Sequence, residues 1–182
     1  DERNLEASAK AIKKAGKHLQ MAICYSVTEL GRLGGPIYNL AYYVGKAKVF
    51  AEIGADSICV KDMTGLLAPF DAFKLFTALK DAVNVPLQLH THYTSGMASM
   101  TALKAIEAGV DVVDACLAPL ALRTAQPAVE PLVMTLRGTD QDTGLDLDSL
   151  LKMGDYLESM LLRYRELMET PRTAVIDPRV LS

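Results

Sequence analysis

Two spacings of apolar residues alternate along this chain. In residues 5–15, Leu5, Ala9 and Ile12 recur three and four apart with Lys13 and Lys14 beside them, which predicts an amphipathic helix. The pattern stops near Gly16, a residue suited to a helix C-terminus. Residues 19–25 are nearly continuous in apolar character and predict a strand, followed by a polar, glycine-rich loop over 29–36. Helical spacing returns over 38–53 and ends at Gly54. A strand over 57–61, a loop over 62–65 and a helix over about 70–83 come next. A third strand carries His90 and His92, a helix covers about 97–107 and stops at Gly109, and a fourth strand is predicted over 110–116.

An internal repeat supports this alternation. Glu52-Ile53-Gly54-Ala55-Asp56 precedes one strand, and Glu107-Ala108-Gly109-Val110-Asp111 precedes another. Gly16 holds a similar place in the first unit. Short strands that read as apolar on both faces, alternating with helices, are the pattern of a parallel sheet covered by helices. The predicted class is therefore α/β. Four such strands make half of an eight-stranded barrel, or a small open sheet. Either architecture gathers ligand-binding groups at the C-terminal ends of the strands. Lys61, His90, His92 and the segment after Cys116 fall there. Beyond Cys116 the spacing predicts helices over 126–137 and 147–169. The second, with Leu147, Leu150, Leu151, Met153, Leu157, Leu161 and Leu162, reads as a packing helix.

Composition narrows the function classes. The chain has 182 residues, about one domain's worth, and 50% are hydrophobic. A net charge of −3, with both signs mixed along the sequence, argues against a nucleic-acid partner. No apolar stretch approaches the ~20 residues of a membrane span, and no signal peptide is recognisable. Cys24, Cys59 and Cys116 lie far apart in apolar runs and read as buried free thiols of a reducing compartment, the cytoplasm.

The richest chemistry lies in residues 87–96. A strand alternates its side chains between two faces, so His90 and His92 point the same way. Two imidazoles so placed can reach one divalent metal ion. Lys61 ends another apolar strand, where a lone ammonium is costly unless paired, neutralised or snorkelling to the rim. An ammonium cannot ligate a metal; a carbamylated lysine is a carboxylate and can.

Three segments together, Lys61-Asp62-Met63-Thr64-Gly65-Leu66-Leu67, His90-Thr91-His92 and Leu122-Arg123-Thr124-Ala125-Gln126-Pro127, resemble the biotin-dependent carboxyltransferase domain. That domain occurs in pyruvate carboxylase, including its stand-alone carboxyltransferase subunits, in the oxaloacetate decarboxylase alpha subunit and in the pyruvate-binding subunit of transcarboxylase. The resemblance covers roughly residues 1–137. It implies a (β/α)8 TIM barrel, of which this chain would hold the second half, with 138–182 beginning a following helical segment. It implies a divalent metal (zinc, manganese or cobalt) on carbamylated Lys61, His90 and His92. Thr124 would stand at the biotin as catalytic proton carrier, with Lys61 the other catalytic residue. Biotin would arrive on a separate carrier domain or subunit, with pyruvate or oxaloacetate as substrate. A homo-oligomer is expected, and a membrane would be met only through a partner subunit of a sodium-pump decarboxylase.

The chain also departs from that pattern. The family's aspartate metal ligand and its substrate-binding arginine belong to an earlier stretch that nothing here matches, so the chain alone is expected to be inactive. Lys152-Met153 only superficially echoes a biotinylation site, and residues 31–36 lack the ending of a phosphate-binding loop. The alternatives are an aldol- or Claisen-type metal lyase or synthase on a similar barrel, disfavoured because Tyr93 rather than asparagine follows His92, and an inert assembly module.

Overall fold

The two repeated pentapeptides have one structural task. In each, the glycine ends a helix with a left-handed backbone, φ +98° at Gly54 and +89° at Gly109. The aspartate two residues on turns its carboxylate back to the neighbouring strand. Asp56 accepts the Leu19 N–H at 2.7 Å, and Asp111 accepts the Leu87 N–H at 2.8 Å. Each carboxylate also meets a lysine of an earlier helix: Lys13 at 2.5 Å for Asp56 and Lys80 at 3.0 Å for Asp111. The repeat is a latch between successive units, set at the N-terminal ends of the strands.

The structure, a computed structural model, describes residues 3–28 and 33–167. Helices α1 (Arg3–Lys14), α2 (Leu40–Ile53), α3 (Pro69–Ala82) and α4 (Ala98–Glu107) alternate with strands β1 (Gln20–Cys24), β2 (Ser57–Asp62), β3 (Leu87–Thr91) and β4 (Val112–Val113). Helices α5 (Val129–Leu136) and α6 (Leu147–Leu161) follow. The sheet runs β1-β2-β3-β4 in order, every neighbouring pair parallel. The predicted α/β alternation is thus observed.

Local chemistry explains the boundaries. Asn39 opens α2 by accepting the Tyr42 N–H at 3.1 Å. Pro69, whose fixed φ suits a first helical turn, opens α3. On α3 the buried residues Ala72, Leu75, Phe76 and Leu79 form the apolar stripe that the sequence spacing requires. They pack on Ile58 and Val60 of β2 and Leu87 and Leu89 of β3, all fully buried. Among the described residues no helix is long and apolar enough to cross a membrane.

Five expectations need correcting. The strands are not apolar on both faces. Met21, Ile23, Ile58, Val60, Leu87 and Leu89 face the helices, whereas Gln20, Cys24, Lys61, Gln88 and His90 line the opposite face. Cys24 is for that reason exposed, Cys59 is buried and Cys116 is intermediate; all three thiols are free. The fourth strand is only Val112–Val113, because the chain leaves the sheet at Asp114 to build the site below. The helix over 126–137 shrinks to α5, since Gln126 and Pro127 belong to a loop, and that over 147–169 ends at Leu161 in a 3₁₀ turn, Leu162–Leu167. Residues 168 and 169 lie outside the described residues, as do Glu29 to Arg32 of the glycine-rich loop. On α6 only Leu150 and Gly154 are buried, while Leu151 and Met153 are exposed, so it packs along one narrow stripe.

Candidate metal centre

Strand register brings the predicted site residues together. Lys61 pairs with Cys24 on one side and with His90 on the other, so the three stand in one row across β1, β2 and β3. His92 follows β3 directly, and its N–H donates to the Asp62 carbonyl at 3.2 Å. The imidazoles of His90 and His92 converge, their Nε2 atoms 3.1 Å apart. The same-face expectation for the pair is observed. Thr124 arrives from the loop after β4, and its carbonyl oxygen lies 2.5 Å from His92 Nδ1.

The partners assign the ring protons. Asp114 Oδ2 lies 2.7 Å from His90 Nδ1, and the partner of His92 Nδ1 is a carbonyl. Both partners are acceptors, so each Nδ1 carries a hydrogen, and in the neutral ring this leaves Nε2 with a lone pair. Two lone pairs at 3.1 Å repel unless a donor or cation lies between them. The Gln126 amide nitrogen fills part of that need, 3.4 Å from His90 Nε2 and 3.3 Å from His92 Nε2. Its oxygen accepts from the Cys116 thiol at 3.1 Å, which sets which way the amide faces. Two imidazoles aimed at a common point, each held from behind by an acceptor, form in their neutral state a donor set that suits a divalent metal. Among the described residues, no group of three or more His, Cys, Asp and Glu could hold a metal.

The supporting loops are tightly built. Asp62 is fully buried and points to the helix side, where it accepts the Leu66 and Leu67 N–H groups at 2.9 and 3.0 Å and the Thr91 hydroxyl at 2.8 Å. Burial raises its carboxyl above the ordinary 3.8 despite those hydrogen bonds. The loop so shaped places Gly65, φ +66°, against the His92 carbonyl, and the Thr94 hydroxyl donates to the Thr64 carbonyl. Burial also pushes the Cys59 thiol up to about 11, with the Asp114 carboxylate adding to it. Leu122 and Arg123 both adopt left-handed backbone, φ +70° and +55°, just before Thr124. Such conformations cost side-chain-bearing residues of order 1–3 kcal/mol each and concentrate at functional loops. Here Leu122 N–H to Gln126 O (2.9 Å) and Ala125 N–H to Leu122 O (2.8 Å) hold the turn that delivers the Thr124 carbonyl.

Sequence reasoning missed Asp114, Gln126 and Gln88. Gln126 lay inside a motif already singled out. Asp114 follows the last residue of β4, whose neighbour β3 carries His90, a placement that only the register reveals.

The HMGL-like family profile matches residues 3–157 of this sequence. This chain belongs to the HMGL-like family. Over its whole length this HMGL-like chain is 43% identical to a pyruvate carboxylase subunit of Methanocaldococcus jannaschii, covering 30% of that protein. It is 38% identical, over 91% of its length, to 32% of the methylmalonyl-CoA carboxyltransferase 5S subunit of Propionibacterium freudenreichii. The carboxyl transferase domain of Rhizobium etli pyruvate carboxylase, solved with pyruvate, superposes with a TM-score of 0.85 at 40% identity. That match covers 89% of this chain and 27% of the other. The sequence thus spans about 30% of the length of curated relatives that it matches from end to end. Its four-stranded parallel sheet matches part of their TIM-barrel fold.

Proposed function

We propose that the full-length protein is a biotin-dependent carboxyltransferase that moves a carboxyl group between biotin and pyruvate or oxaloacetate, with this chain supplying part of its metal site. The convergence of His90 and His92 Nε2 at 3.1 Å, with both Nδ1 atoms engaged by acceptors, carries the reading. Support comes from relatives named as pyruvate carboxylases and from a solved carboxyl transferase domain holding pyruvate and biocytin.

His90, His92 and carbamylated Lys61 would hold a divalent zinc, manganese or cobalt ion. When bound, such an ion supplies Lewis-acid stabilisation of the enolate form of a keto acid. Lys61 gains its carboxylate by adding carbon dioxide to the neutral amine with loss of a proton. Asp114 and the Thr124 carbonyl orient the two rings. The Thr124 hydroxyl would carry a proton between the substrate methyl group and biotin, a role taken from the resemblance alone. Biotin would be brought by a carrier domain or subunit. A cytoplasmic homo-oligomer completes the proposal.

The test is biotin-dependent carboxyl transfer with pyruvate or oxaloacetate, together with elemental analysis, in the full-length protein. His90→Ala and His92→Ala should each lose stoichiometric metal and turnover. Retained metal in either variant defeats the assignment. Thr124→Ala keeps the carbonyl and removes the hydroxyl. A loss of about 10²–10⁴-fold in rate with metal retained marks proton carriage. An unchanged rate leaves Thr124 with the ring-orienting role only.

A further inference from the structure

Two glutamines occupy the sheet face from which His90 projects, where apolar side chains were expected. Gln20 lies on β1 and Gln88 on β3, with β2 between them. The Gln20 amide nitrogen donates to the Gln88 amide oxygen at 2.7 Å and to the Ser57 hydroxyl at 3.2 Å. The Gln88 nitrogen in turn donates to Asp114 Oδ1 at 2.8 Å. The other oxygen of the same carboxylate, Oδ2, takes the His90 Nδ1 hydrogen at 2.7 Å.

An amide donates through nitrogen and accepts through oxygen, so this chain has one direction. It starts at the edge strand, crosses the sheet and ends on an imidazole. Asp114 is gripped from both sides, one oxygen each. That grip has work to do, because the Asp114 side chain is 34% exposed and water competes for both oxygens. A carboxylate that rotates away releases His90 Nδ1. The ring is then free to take the other tautomer, whose hydrogen on Nε2 leaves that nitrogen no lone pair for the metal.

We propose that Gln88, backed by Gln20, is a positioning residue of the metal centre, fixing the Asp114 carboxylate so that His90 keeps its Nε2 lone pair. The proposal rests on the metal-site reading above. A merely structural amide pair would affect melting and leave the metal's surroundings alone.

The experiment uses Co(II) as probe in the full-length protein, with Gln88→Leu and Gln20→Leu. Co(II) affinity is measured by chelator competition, its visible absorption bands are recorded, and the tautomer of the metal-free histidines is read by nitrogen NMR of the rings. Gln88→Leu should bind Co(II) roughly tenfold more weakly, the lower end for losing an outer partner of a ligand. Its absorption bands should shift, and its His90 signal should move toward the Nε2–H tautomer. Gln20→Leu should change the same readings in the same direction, by about threefold in affinity, a fraction of one neutral hydrogen bond. It carries the test alone should Gln88→Leu fail to fold. Wild-type affinity and spectra in the variants overturn the proposal. A wild-type protein that binds no Co(II) overturns the metal-site reading instead, so the two failures are distinct.

Discussion

Replacing Gly65 by alanine tests whether the loop after β2 sets the position of His92. A Cβ built at Gly65 lies 2.6 Å from the His92 carbonyl oxygen and 2.7 Å from the Thr94 hydroxyl, where ordinary contact begins at 3.4 Å. The first neighbour is backbone, and the second is a short β-branched side chain whose hydroxyl is tied to the Thr64 carbonyl. The carbonyl must recede, and it belongs to the residue whose ring meets the Thr124 carbonyl at 2.5 Å and His90 at 3.1 Å. Alanine also bears the left-handed backbone at φ +66°, about 1–2 kcal/mol. With the contact included, the expected loss is about 2–4 kcal/mol, or a melting point lower by roughly 5–15 °C. Circular dichroism melts measure the first effect. Metal titration of the full-length protein measures the second, expected as about a 10–100-fold weaker site. An alanine variant with wild-type melting and wild-type metal binding would refute the claim that this contact positions His92.

Three further outcomes follow from other features of the chain. The Leu19 N–H and then Lys13 hold the Asp56 carboxyl below the ordinary 3.8, so its contribution is present above that pH and lost as pH falls through the lowered folded value. Asp56→Asn should therefore flatten stability against pH below about 4, measured by denaturant unfolding at stepped pH; an unchanged acid limb counts against the latch. With its thiol pushed up to about 11 and its side chain buried, Cys59 should resist alkylation in the native state at pH 8 while exposed Cys24 reacts, as peptide mass mapping would show. Phe76→Ala empties a fully buried site and should cost about 3–5 kcal/mol by urea unfolding; a loss under about 1 kcal/mol would mean the core there collapses to fill the space.

The order of elements was legible because apolar spacing differs between helix and strand, and the repeated Gly and Asp positions mark where one becomes the other. The shared face of His90 and His92 was legible for the same reason, being a consequence of strand geometry over two residues. Polar contacts between distant segments were not. That Asp114 would stand behind His90 depends on β3–β4 register, and that Thr124 would offer its carbonyl depends on the left-handed turn at Leu122 and Arg123. Neither residue type announces such a turn. The polar face of the sheet was misread because Ala22, Cys24 and Cys59 count as apolar, which disguised the alternation that Gln20, Lys61 and Gln88 complete.

The aspartate latches at the N-terminal rim imply a division of labour. The aspartate joints between units lie at one rim and the chemistry at the other, separated by the length of a strand. Substitutions that retune the loops after Asp62, Thr91 or Val113 leave Asp56 and Asp111 untouched, so new reactivity can be explored without loosening the joints. The unit is also exchangeable in kind: a segment cut after Gly54 and after Gly109 carries its own aspartate joint, which meets a backbone N–H of the neighbouring strand. Grafts between relatives made at those two glycines should keep their fold more often than grafts made within the loops at the opposite rim.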